Sequence, residues 1–423
     1  MVLMLGSIKN KILDNTIVLL LILSTGGLLF VFNRNFVSII FFVLLFFTIF
    51  FLGKKLKKSL FYSSLFTIFS CVFLGVINYN FAIVEQTLNK YLFHLLTVTL
   101  VVTTLFHFKN NRSNENFVNN LYTVLKIIAI HAFINFLLFF IVKNKLSIIS
   151  STYHECETFL NLFFYTTEKG MVELFGLEFC RNQGLFWEPG ILQAYLNILF
   201  FLEAFVYNRN KKLLLAITFL VLTTYSTTGI AILLVQILIF IKEEFKVNKL
   251  LAPLLLFVML PIYIVFSFNV DSKLRGEKQF SFQKRIFDLT QPLFIAVDHP
   301  LTGVGLDLFQ FQNIRQEYYI SSNTLHAINS FFGVDSKIEV TDKGSSNSIM
   351  FLLATTGFPT AILLIYMFFK QQIIFKKRKL WMFILTISVM SEPLLLRPFF
   401  FLFICSGFIY MFSKFIFIKK YKS

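Results

Sequence analysis

The stretch RNQGLFWEPGILQAYLNILFFLEAFVYNRNKK, Arg181 to Lys212, runs from a polar loop through hydrocarbon into a basic cluster. Its first ten residues hold a guanidinium, two glycines, an indole and a carboxylate. Pro189 suits the first position of a helix, and the apolar run behind it is long enough to cross a bilayer. The basic NRNKK (208–212) marks the side on which that span ends. Hydrocarbon cannot hide the charges of 181–188, so this cluster at a span's mouth is a candidate functional site.

The rest of the chain agrees with that span. Of 423 residues, 57% are hydrophobic and only 14% charged, against about a quarter charged in soluble domains. The 59 phenylalanines fit a large lipid-facing surface. The net charge of +17 does not mark a nucleic-acid binder. Its basic residues gather in short loops, GKKLKK (53–58), NRNKK (208–212), KKRK (376–379) and the KKYKS tail, which is the positive-inside pattern.

Apolar runs near 14–32, 36–52, 59–78, 86–106, 117–142, 189–207, 250–268, 346–369, 380–396 and 398–418 are spans. The run 213–241, broken by TTYSTTG (223–229), reads as two short helices meeting at an outward turn. The expectation is an all-α polytopic membrane protein of about twelve transmembrane helices, one integral domain over 1–423. Both termini lie in the cytoplasm, and two long extracytoplasmic loops cover about 143–188 and 269–345. The first apolar run is followed by NRN rather than small residues, so it reads as a span and not a cleaved leader. Cys71 and Cys405 fall in apolar runs, whereas Cys156 and Cys180 share the first loop, where a bridge between them is open.

Candidate chemistry sits in four places. In the first loop, Arg181 offers a forked donor set suited to phosphate. Glu188 is a base or hydroxyl acceptor, Gly184 allows close backbone approach, and Trp187 can stack on a sugar; a belt of interfacial anchors is the plainer reading. In the second loop, Arg275 and Arg285 precede an amphipathic stretch with Ile286, Leu289, Leu293, Ile295 and Val297, read as a helix along the membrane surface. DHPLTGVG (298–305) then turns tightly, with His299 as a possible base and Gly303 and Gly305 expected to leave backbone N–H groups for an anion; Arg315 follows. Ser345, Ser346 and Asn347 open the next span as sugar contacts, with Ser345 and Ser346 as ordinary helix caps in the plainer reading. Arg397 shares the turn SEPLLLRPF (391–399) with Glu392. No Cys or His spacing suggests a metal, and no cofactor motif is present.

These elements in this order, R-x-x-G-x-F-x-E-P-G, T-T-G in a short hairpin, the Arg285 helix ending in HPLTGVG, and SSNS with Gly357 after it, resemble the O-antigen polymerase and ligase superfamily over roughly 180–360. The resemblance implies a GT-C-type, metal-independent membrane glycosyltransferase acting at the outer face of the cytoplasmic (inner) membrane. Donor and acceptor would be undecaprenyl-pyrophosphate-linked glycans, with membrane lipid and a chain-length regulator as further partners. The roles it implies are catalytic for Arg181, Glu188, Arg285 and His299. Gly184, Trp187, Arg275, Gly303, Gly305, Arg315, Ser345, Asn347 and Arg397 would bind substrate. Ligases of the superfamily usually show a His before the Asn where this chain has Ser345-Ser346-Asn347, which favours polymerase over ligase. The rival from another class is a lipid-linked oligosaccharide flippase or transporter, but the polar residues within spans are sparse, chiefly Lys126, His131 and Glu203.

Overall fold

A computed structural model describes residues 2–52, 56–151, 154–174, 176–207, 209–245, 251–274, 279–321, 327, 330–331 and 345–420. Arg275 lies outside them. The helices in chain order are α1 (Val2–Gly26), α2 (Leu28–Phe32), α3 (Arg34–Leu52), α4 (Lys58–Phe81), α5 (Leu88–Asn111), α6 (Asn114–Val142), α7 (Thr167–Gly170), α8 (Pro189–Phe201), α9 (Lys211–Thr223), α10 (Thr227–Phe245), α11 (Leu251–Leu274), α12 (Gln279–Asp298), α13 (Leu308–Ser321), α14 (Ser348–Phe369), α15 (Arg378–Ser391) and α16 (Pro398–Lys420). Seven helices among the described residues are long and apolar enough to cross a membrane: those at 34–51, 58–81, 88–111, 114–145, 189–206, 348–369 and 398–416. The chain is a helical polytopic membrane protein on that ground. Of the other expected spans, α9 and α15 are shorter helices, of 13 and 14 residues.

The chain forms two compact units. One comprises Met1–Phe41, Phe117–Ser272 and Phe375–Ser388; the other Phe42–Asn116, Lys273–Ile374 and Val389–Ser423.

In the first unit, α8 is buried along its length and packs against α9 and α10. The apolar run 213–241 divides as expected, at 224–226, where Tyr225 takes a positive φ of 46°. The first long loop is not irregular. It folds as an antiparallel sheet, β1 (Ser147–Ser150), β2 (Glu155–Phe159) and β3 (Phe163–Tyr165), and a hairpin of β4 (Met171–Leu174) and β5 (Leu177–Cys180). Strands of three to five residues carry too few alternations to register as a period-2 pattern. Their turns are local: Leu160 and Asn161 take left-handed φ of 56° and 53°, and Gly176 takes 76°. Cys156 and Cys180 are both free thiols and are buried in separate clusters, Cys156 with Leu28 and Phe164, Cys180 with Phe139, Val142 and Tyr165.

The second unit packs α4, α5, α14 and α16 together, with α12 against α14. Helix α14 is broken at Gly357, which has φ 73° and ψ 168°, followed by Pro359. A broken helix inside a span strands backbone groups that hydrocarbon cannot solvate. The turn after α12 supplies the partners: Val304 N donates to Ala354 O (2.9 Å), Gly305 N to Thr355 O (2.9 Å), and Phe358 N to Pro300 O (2.7 Å). Asn78 of α4 completes the plug, donating to Thr302 O and Thr355 O, each at 2.8 Å.

Candidate functional site

The 181–188 loop of the first unit is clamped from every side. Arg181 donates its backbone N–H to Gly170 O (2.9 Å) and Nε to Thr224 O (3.0 Å) in the break between α9 and α10. Asn182, 2% exposed, donates its backbone N–H to Thr223 O (3.0 Å) and Nδ2 to Ala132 O (2.8 Å). Its Oδ1 accepts from Asn135 Nδ2 (3.2 Å) and from Gly184 N (3.2 Å). Gly184 holds φ 56° to allow that reversal. Thr166 donates to Gln183 Oε1 (2.7 Å). On the far side, Leu28 N donates to Leu185 O (2.9 Å) and Trp187 N to Gly26 O (3.2 Å). Phe186 stacks on Tyr195 at 5.0 Å, and Trp187 packs on the cluster of Leu28, Cys156 and Phe164.

Held by that frame, Glu188 is the N-cap residue of α8 in extended backbone (φ −144°, ψ 146°). Its carbonyl accepts from Ile191 N (3.1 Å), but its carboxylate caps nothing. It is exposed, and among the described residues it has no hydrogen-bond or ion-pair partner. A rigid loop therefore presents one unspent carboxylate where a buried helix begins. The half-buried Arg181 lies seven residues earlier, so guanidinium and carboxylate flank a single ordered loop.

The second unit uses several candidates for its own architecture. Arg315, on α13, makes an ion pair with Asp288 of α12 at 2.8 Å, the two side chains 4% and 1% exposed. It also donates to Gln291 Oε1 (3.0 Å) and Gln312 Oε1 (3.4 Å) and lies 4.8 Å from the Phe287 ring. Burial pushes its pKa down, while the Asp288 carboxylate pushes it back up. Asp288 Oδ2 in turn accepts from Ser346 N (2.9 Å) and Oγ (2.6 Å), and Ser345 Oγ donates to Asp288 O (3.2 Å). Asn347 caps α14, accepting from Ile349 N (3.2 Å) and Met350 N (3.1 Å). Ser345 and Asn347 thus serve as fold contacts, and the cap is Asn347 rather than Ser345 or Ser346.

The glycine turn differs from expectation. Gly303 N donates to His299 O (3.2 Å) and Gly305 N to Thr355 O (2.9 Å), so neither backbone N–H is left for an anion. Glycine is required because a Cβ at 303 would lie 2.5 Å from Ala354 O, and one at 305 would lie 2.1 Å from the Gln86 side chain. Helix α12 also departs from the surface-helix reading: Leu289, Leu293 and Val297 are exposed, but Ile295 is fully buried beside Val304 and Phe311. His299 and Arg285 are half-buried. Arg397 opens α16 below a turn fixed by Ser348, whose hydroxyl donates to Glu392 O (2.6 Å) and accepts from Leu394 N (2.8 Å).

Asp288 is the residue the sequence pattern does not flag. Its only mark is its register, on the face of α12 that holds Gln291 and Ile295 three and seven positions later. Of the polar residues within spans, Glu203 is fully buried and accepts from Tyr122 OH and from Asn210 N (2.6 Å). Lys126 sits 4.3 Å over the Tyr122 ring. Both belong to a staple at the basic end of α8, completed by Tyr207 OH on Asn119 Oδ1 (2.6 Å).

Residues 213–365 match a family model described as O-antigen ligase. The match supports the O-antigen polymerase and ligase superfamily and does not separate its polymerases from its ligases. It begins in α9 and ends in α14, and so takes in the plugged break at Gly357 but not the 181–188 loop. No curated protein and no solved structure matches the chain.

Proposed function

We propose that this protein is a membrane glycosyltransferase that polymerises undecaprenyl-pyrophosphate-linked repeat units into O-antigen or a similar surface polysaccharide, at the outer face of the cytoplasmic membrane. The observation that carries the reading is Glu188, whose exposed carboxylate has no partner among the described residues, at the end of a loop held by hydrogen bonds at Arg181, Asn182, Gly184, Leu185 and Trp187. In the transfer, the acceptor sugar hydroxyl attacks the donor's anomeric carbon, and the bond from that carbon to the pyrophosphate oxygen breaks. The hydroxyl proton passes to the Glu188 carboxylate. The electron pair leaves on the pyrophosphate, whose charge Arg181 neutralises through forked hydrogen bonds. Arginines meet that need directly, so turnover is proposed to be metal-independent.

Polymerase is favoured over ligase because the position before Asn347 is a serine engaged with Asp288. Deleting the gene separates the readings. Loss of a polymerase leaves single repeat units attached to the final acceptor. Loss of a ligase instead leaves long polymer on the lipid carrier, and loss of a flippase leaves single lipid-linked units on the cytoplasmic face. Long carrier-linked polymer in the deletion strain would overturn the polymerase reading.

A further inference from the structure

Transmembrane glycines usually allow two helices to touch, and Gly407 of α16 does so: a Cβ there would lie 2.2 Å from Met367 O of α14. Gly75 in the middle of α4 does not. A Cβ at Gly75 meets nothing within 4 Å, although glycine inside a helix costs about 0.5–1 kcal/mol relative to alanine. What it borders is a cavity of about 240 Å³ within the second unit, walled by α4, α5, α14 and α16. The walls are nearly all hydrocarbon, with Leu74, Leu95, Leu352, Leu364 and Phe401 among them, and Leu88 and Leu92 at its edge are 55% and 51% exposed. Its polar groups do not all look to one another. Asn78 and Tyr91 are bonded together (2.6 Å), but the His94 imidazole in the wall makes no hydrogen bond among the described residues. Lys90 lies one helical turn from His94.

An apolar chamber open at its side, with an imidazole in its wall, a lysine one turn along the same helix and a glycine keeping it empty, is shaped for an amphiphile. We propose that it seats the hydrocarbon chain of one phosphate-bearing lipid, with the phosphate held by Lys90 and His94. The site is separate from the 181–188 loop, and its test reads lipid binding rather than glycosyl transfer, so it stands or falls independently of the reading above.

The test is native mass spectrometry of the full chain released from detergent, with undecaprenyl phosphate, phosphatidylglycerol or phosphatidylcholine added at equal concentration. One phosphate lipid of net negative charge should remain bound to the wild type in preference to phosphatidylcholine. Retention of undecaprenyl phosphate over phosphatidylglycerol identifies the polyprenyl carrier as occupant, and equal retention of the two identifies a general anionic-lipid site. Gly75→Leu fills the chamber and should weaken that adduct about tenfold, as should Lys90→Gln with His94→Gln, whereas Gly75→Ala should keep most of it. A diazirine-tagged lipid phosphate cross-linked to the wild type should map to α4 and α5 around Gly75, which needs no variant to fold. Equal adduct in wild type and Gly75→Leu, no preference for anionic lipid, or cross-links that avoid α4 and α5 would each overturn the proposal.

Discussion

Glu188 is where the catalytic and the interfacial-anchor readings part most cleanly. Its carboxylate touches nothing among the described residues, so Glu188→Gln should change stability by no more than about 0.5 kcal/mol. If it takes the acceptor proton, the same change should slow transfer by about a hundredfold to ten-thousandfold. Unchanged repeat-unit transfer by purified Glu188→Gln would remove it from the mechanism. Arg181→Lys is the companion test, expected to cost about 3 kcal/mol, or roughly a hundredfold in rate. Arg181 also holds Thr224 O, so its rate must be compared at matched thermal stability. Asp288 and Arg315 behave oppositely. Removing one partner of a buried pair strands the other charge, so Arg315→Met should destabilise the protein by about 3–5 kcal/mol, read from thermal unfolding in detergent. The loop thiols supply a pH test. Burial pushes Cys156 up to about 12 and Cys180 up to about 11, from 9.0 when unfolded. The folded form keeps its protons where the unfolded form loses them. That contribution is intact below pH 9 and is lost as pH rises toward 11–12, at about 1.4 kcal/mol per pH unit for each thiol. At pH 7.5 neither thiol should react with maleimide until the protein is unfolded, and rapid native labelling of either would contradict their burial.

Among the elements, the plugged break in α14 joins two motifs that the sequence presents as separate. HPLTGVG and the Gly357 segment each read as loose glycine patterns, and a GxG turn suggests an anion site because glycine frees backbone N–H groups. The Gly303 N–H turns back to His299 O, and the N–H groups of Val304 and Gly305 go to the carbonyls that the break at Gly357 leaves without partners. A pairing between positions some fifty residues apart leaves no periodicity to read. By contrast the two-helix division of 213–241 was legible, since short polar residues inside an apolar run compete locally for backbone hydrogen bonds. The loop strands were not, being too short to alternate. The plug makes a sharp prediction. Gly357→Ala would need φ +73° and would bring a Cβ to 2.4 Å from Leu301 O, so it should cost at least about 2 kcal/mol. Gly75→Ala, with open space around it, should leave the melting temperature level or raised. Equal melting of the two variants would show that the break tolerates side chains and that the turn is not locked in it.

At the scale of the molecule, the two units can each be asked which end faces the cytoplasm, and each answers through its basic loops. In the second unit, Lys57 N donates to Asn110 Oδ1 (3.0 Å) and Lys57 Nζ to Lys109 O (3.2 Å), which ties the loop before α4 to the end of α5. In the first unit, Arg209 pairs with Glu243 (2.8 Å) and Glu244 (3.2 Å), and Lys377 also pairs with Glu243. Lys376 Nζ reaches Val206 O at 3.2 Å. The basic ends of α8, α10 and α15 therefore meet at one end, while the 181–188 loop opens the opposite end of α8. Charge counts in the sequence anticipate this clustering, because each cationic loop resists translocation on its own; the partners that bind those loops together depend on tertiary packing and are invisible to it. The arrangement predicts a sidedness. In a background without native cysteines, Lys57→Cys and Lys377→Cys should resist an impermeant maleimide in intact cells and react after permeabilisation. Lys169→Cys, exposed on the short helix before β4, should react from outside at once. Labelling of position 377 in intact cells would invert the first unit and place Glu188 on the cytoplasmic side, where a polymerase of exported glycans would have no substrate.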